Sequence, residues 1–140
     1  YITQKLEALG FKTVSPAIEK GKSGVQQQFY MIANAGTGFL KVKVVIEILG
    51  GDTEISSNDL FELYGRAADV GAYGLLVAAI PGLSQDAKGM AETYGIAYVE
   101  AQDLQTAVDG IVKKIGELVE APEQRMMQVL AMPGWKKREG

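Results

Sequence analysis

The stretch "GLLVAAIPGLSQDAKGMAETYGIAYVEAQDL", residues 74–104, changes its hydrophobic period twice, and its reading decides the fold. It opens with a continuous apolar run bounded by Gly74 and Pro81, the pattern of a strand buried on both faces. Ser84 is then suited to accept from the orphan N–H groups of a helix start. Ala87, Met90, Ala91 and Tyr94 follow at helical spacing, and Gly95 ends the helix in the usual way. "IAYVEA", residues 96–101, predicts a further short strand. Two strands joined through a helix run parallel, so this stretch predicts a sheet with helices packed on it.

Downstream, Leu104, Ala107, Val108, Ile111, Val112, Ile115, Leu118 and Val119 mark the strongest amphipathic helix, with Pro122 predicted to interrupt it. "EQRMMQVLAM", residues 123–132, predicts one more short helix, and "PGWKKREG", residues 133–140, a basic tail. Met126, Met127, Val129, Leu130 and Trp135 form an apolar cluster there, suited to a contact surface or to packing back on the domain. Upstream, Ser56 or Ser57 caps a helix that ends at Gly71, with Leu60, Phe61, Tyr64, Ala67 and Ala68 along one side. Before it, "VQQQFYMIANAG" (25–36) and "FLKVKVVIEILGG" (39–51) read as two strands joined by a hairpin loop at 35–38. In the second, Leu40, Val42, Val44, Ile46 and Ile48 make one face, and Lys41, Lys43, Val45, Glu47 and Leu49 the other. At the start, Ile2, Leu6 and Leu9 predict a helix ended by Gly10. Thr13, Val14 and Ile18 suggest a strand that Pro16 demotes to an edge, and residues 20–24 a turn. The element order is therefore αβββαβαβα: an antiparallel meander followed by parallel strands in one mixed sheet.

With 140 residues the chain fits one domain, and 47% hydrophobic with 22% charged residues is ordinary globular composition. Cysteine and histidine are both absent, which excludes disulfides, thiolate chemistry, Ser-His-Asp catalysis and imidazole metal sites. Any metal must be held by oxygen, which points to magnesium, manganese or calcium. The net charge of −3 is unevenly spread: residues 1–50 carry six Lys against three Glu, and 51–120 four basic against twelve acidic groups. Such a balance argues against strong non-specific nucleic-acid binding while leaving a local basic face. The absence of a signal peptide or a membrane-length apolar run leads us to expect a cytoplasmic protein, and the start at Tyr1 a piece of a longer one.

The order of elements, and residues 74–104 in particular, resemble the restriction-endonuclease-like or PD-(D/E)xK superfamily, and within it the Mrr-type branch. That branch likewise runs from a buried strand through a small loop to an alanine-faced helix, then "Gly-Ile", a short strand and a polar residue before Leu; here these are Gly74–Pro81, Ser84–Tyr94, Gly95-Ile96, Ala97–Glu100 and Leu104. The resemblance covers most of residues 1–120 and implies a three-layer α/β/α domain, with 121–140 as a Met-rich helix and basic tail outside it.

It also implies a site. Nucleases of this fold carry an Asp on the first hairpin strand and Glu-x-Lys on the next; the acids hold Mg²⁺, and the lysine supports the attacking water. Here the matching positions are Tyr30, Glu47 and Leu49, so the motif is degenerate. A phenol with a pKa of about 10 is a poor ligand at neutral pH. The expected function is therefore a non-catalytic domain used for binding or regulation inside a larger protein, with no cofactor. The alternative is a Mg²⁺-dependent DNA endonuclease with a rearranged site, in which Asp52 and Glu54 join Glu47 as metal ligands. Glu47 also fits an exposed strand residue paired with Lys41 or Lys43, and Tyr30 a ring that covers apolar surface. Lys12, Lys20, Lys22, Lys41 and Lys43 fit either a phosphate-tracking face for nucleic acid or solvated lysines guarding a sheet edge. A protein partner or a second copy of the chain stands beside nucleic acid as the thing bound. Residues 21–24, "GKSG", lack the frame of a phosphate loop and read as a turn. Asp59, Glu62 and Asp69 read as a solvated helix face.

Overall fold

Alternation along residues 42–50 determines where everything else packs. The computed structural model describes residues 2–36 and 41–131, with side chains through Glu117. Strand β5 (Val42–Gly50) is the central member of a five-stranded sheet, whose order is β1-β4-β5-β6-β7. Its neighbours are β4 (Met31–Ala35), antiparallel, and β6 (Gly74–Ile80), parallel, while β7 (Ala97–Glu100) extends the parallel half. The edge strand β1 (Lys12–Val14) runs antiparallel to β4, the placement expected of a strand cut short by Pro16.

The even-numbered residues of β5 face one core, with Ile46 packed among Ile2, Leu6, Met31, Leu76, Ile111 and Ile115. Helices α1 (Ile2–Ala8) and α4 (Leu104–Ala131) cover that side. The odd-numbered residues face the other core, where Val45 and Leu49 meet Ile32, Leu60, Leu63, Val77 and Ala91. There the cover is α2 (Ser57–Asp69) and α3 (Gln85–Tyr94). The result is a three-layer α/β/α fold around a mixed sheet, the arrangement of restriction-endonuclease-like domains. Capping follows the sequence: Ser56 accepts from the Asp59 N–H, Ser84 from the Ala87 N–H, and Gly95 ends α3 at φ 70°.

The structure departs from expectation in several places. The single strand expected at Thr13, Val14 and Ile18 is divided at Pro16, with Lys12–Val14 in the main sheet and Ala17–Lys20 in a separate ribbon, and Tyr94 of α3 is exposed. The predicted strand 25–36 is broken at Tyr30: β3 (Gln26–Phe29) leaves the main sheet and pairs with β2 (Ala17–Lys20) as a separate two-stranded ribbon. An apolar run with three glutamines at its start has no strong period, so the break was not legible in it. On α2 the buried residues are Leu60, Leu63 and Ala67, while Phe61 and Ala68 are exposed, because the helix is rotated to lay Leu63 on the sheet. Leu104, at the start of α4, is exposed too. Finally, α4 continues through Pro122 to Ala131 instead of stopping. Residues 37–40, which include the second half of the expected hairpin loop at 35–38, the side chains of Met126, Met127, Val129 and Leu130, and the tail with Trp135 lie outside the described residues. Among the described residues, no helix is long and apolar enough to cross a membrane.

Candidate functional site

Glu47 sits on the odd-numbered face of the central strand, so its carboxylate points into the α2/α3 layer rather than into water. Its side chain is 15% exposed. Burial pushes its pKa above the ordinary carboxylate value, opposed by the Ile48 N–H, the Arg66 guanidinium and the Tyr30 backbone, in that order. The Ile48 N–H donates to Oε1 at 3.0 Å. On the other side, Arg66 Nη2 stands 3.7 Å from Oε2. The partner of Glu47 is thus a cation from α2, not the strand lysines Lys41 or Lys43.

Arg66 is fixed by more than this pair. Its Nη2 also donates to the Gln28 carbonyl oxygen at 2.7 Å, and its guanidinium lies 5.1 Å from the centre of the Phe29 ring. Phe29 and Gln28 belong to the ribbon strand β3, so one side chain ties α2, the ribbon and β5 together. An open pocket of about 640 Å³ lies in front, lined by Ser15, Pro16, Gln28, Phe29, Tyr30, Glu47, Ile48, Leu49 and Arg66. The smaller pocket between the C-terminal ends of α2 and α3 is lined by Tyr64, Tyr73, Tyr94, Leu75, Ile96 and alanines and glycines, and includes none of these groups.

The motif positions therefore do converge. Tyr30, Glu47 and Leu49 line one pocket, but Tyr30 packs against the α1/α4 core and Leu49 against the α2/α3 core. Asp52 and Glu54 are exposed on the loop beyond β5. Among the described residues, no group of three or more His, Cys, Asp or Glu is arranged to hold a metal ion. Magnesium demands near-octahedral oxygen coordination. One carboxylate flanked by a leucine and a guanidinium does not fit it.

Of the predicted lysines, Lys20 and Lys22 are exposed on the ribbon and its turn, and Lys41 is exposed just before β5. Lys43 is engaged instead: it pairs with Glu19 and donates to the Val70 carbonyl at 3.0 Å, close to the C-terminus of α2. Two residues that matter here escaped the sequence reading. Arg66 sits beside the buried stripe of α2, between Leu63 and Ala67, the place from which a long cation can reach a neighbouring strand. Asp69, read as solvated, accepts from the Ser23 N–H at 2.9 Å, the Ser23 hydroxyl at 2.7 Å and the Gln27 amide at 3.0 Å. These bonds, with Gln27 first, hold its pKa below the ordinary value. They also fix the turn of the ribbon, as expected for "GKSG".

The packing of helices on both faces of a mixed sheet gives the chain a three-layer α/β/α architecture of the restriction-endonuclease-like kind. Among solved structures the chain is similar to AF1548, a protein of unknown function, with TM-score 0.56 and 22% identity over 69% of this chain. It spans about half of that protein, 53% of its length. The likeness shows a shared fold. The DNA modification-dependent restriction endonuclease AspBHI matches at TM-score 0.45 and 10% identity, covering 83% of this chain and 32% of its own. EndoMS in its apo form matches at 0.44 and 19%, covering 68% and 39%. The Mrr-type branch is not singled out by these matches. No protein-family model and no curated protein matches the chain.

Proposed function

We propose that this is a PD-(D/E)xK-type domain, nearest the Mrr branch in its pattern, that binds without cutting and serves as a binding or regulatory module of a larger cytoplasmic protein or assembly. We take residues 1–120 as that module and 121–140 as an extension of it. The observation that carries the reading is the partner of Glu47: a guanidinium at 3.7 Å where a nuclease needs a second acid and a metal ion. With Tyr30 and Leu49 beside it, the carboxylate has, among the described residues lining the pocket, no companion acid and no lysine to support an attacking water.

Nucleic acid is the partner this reading favours. The outward face of the ribbon carries Lys20 and, at its turn, Lys22, with Lys41 exposed near the central strand. Lys43 is withdrawn from that set by Glu19. Incubating the purified chain with supercoiled plasmid and Mg²⁺ or Mn²⁺ tests the proposal. The plasmid is expected to stay intact, with duplex binding unchanged by EDTA. Metal-dependent cleavage that Glu47→Ala abolishes would sink it.

A further inference from the structure

We infer that Arg66 is the resident cation of the Glu47 pocket and sets it against divalent metal ions, beyond what the two replaced motif residues do. The inference rests on the non-catalytic reading of the pocket but concerns metal binding rather than cleavage. Missing ligands weaken a metal site; a fixed positive charge opposes one. An arginine side chain stays protonated at any ordinary pH, so its charge is permanent. A magnesium ion on Glu47 Oε2 would lie about 2.1 Å from that oxygen. Arg66 Nη2 is only 3.7 Å from the same atom, so ion and guanidinium would share the mouth of one pocket.

Arg66 cannot easily move aside. Its hydrogen bond to the Gln28 carbonyl and its seat over the Phe29 ring both hold it to β3, while its backbone belongs to the last turn of α2. Swinging out would leave the half-buried carboxylate of Glu47 with only the neighbouring backbone groups to offset its desolvation. The guanidinium thus takes over the charge-neutralising part of a metal's role and none of its part in activating water. The pocket keeps its carboxylate without needing, or accepting, an ion.

The test maps Mn²⁺ on the folded protein by paramagnetic broadening of amide signals, which detects weak binding. Four proteins are compared: wild type, Arg66→Lys, Arg66→Met, and Arg66→Met with Glu47→Gln. The amides of Glu47 and Ile48 should broaden in Arg66→Met at about tenfold lower Mn²⁺ than in wild type, since a removed like charge is felt most at short range. Arg66→Lys, which keeps the charge, should behave like wild type, and Glu47→Gln should erase the gain. Should Arg66→Met lose a dispersed spectrum, Arg66→Gln, which keeps a donor for the Gln28 carbonyl, takes its place. Equal broadening in wild type and the neutral variants overturns the inference, as does its absence from both. Plasmid cleavage by the wild type would instead overturn the non-catalytic reading, so the two failures are distinct.

Discussion

Glu47 is half-buried because its strand is the central one of the sheet and α2 closes over the odd-numbered face. Burial disfavours the charged form, and the net effect of its surroundings is a pKa above 4.5. The consequence for stability has a definite sign. Between the unfolded and the raised folded pKa, the native state binds more protons than the unfolded state, so stability falls as pH rises. The contribution is fully present below the unfolded value and lost as pH climbs through the folded one. Glu47→Gln cannot titrate. The unfolding free energy of the wild type relative to Glu47→Gln, read from urea midpoints, should therefore fall as pH rises from the unfolded carboxylate value through the raised folded one. A flat or rising difference would show that Arg66 and the Ile48 N–H outweigh burial.

Elements are where the sequence spoke most clearly, and for a physical reason. The face assignment along β5, the caps Ser56, Ser84 and Gly95, and the buried run of β6 each rest on local chemistry that a short window contains. The break at Tyr30 depends instead on long-range contacts. Asp69 from α2 fixes the ribbon's turn, and Phe29 is buried beneath Arg66, both more than 35 positions away along the chain. The candidate site was half legible for the same reason. Tyr30, Glu47 and Leu49 were placed by strand pairing, whereas Arg66 reaches the pocket only through the rotation of α2 that buries Leu63. Packing between α4 and β7 offers a test at this scale. A methyl added at Gly110 would overlap the Val99 side chain, and a β-branched residue has little freedom to turn away. Helix propensity alone would make Gly110→Ala a gain of about 1 kcal/mol. Overpacking should win, so the variant is expected to lose about 1–3 kcal/mol by chemical denaturation. Combined with Val99→Ala the loss should be smaller than the sum of the two single changes, because the clash is then relieved.

Across the whole molecule, charge and shape lead to one consequence neither gives alone. The net charge of −3 would repel a polyanion, and its acidic excess is concentrated in residues 51–120. Those residues supply α2, α3 and most of α4, whereas Lys20, Lys22 and Lys41 belong to the ribbon and the start of the central strand. Among the described residues, any nucleic-acid contact must therefore be local, involve few phosphates, and avoid the helical layers. Each phosphate neutralised adds about 0.9 to the slope of log K against log salt for duplex DNA. A footprint of two or three lysines then predicts a slope of only about −2 to −3. Lys20→Ala with Lys22→Ala should weaken duplex binding and reduce the magnitude of that slope by roughly 2, while Lys43→Ala, whose charge is already taken by Glu19, should leave the slope unchanged. Fluorescence anisotropy of a labelled duplex across a salt series reads all three quantities. A slope that ignores the ribbon lysines would move the partner away from nucleic acid and toward protein, whose contacts release few counterions.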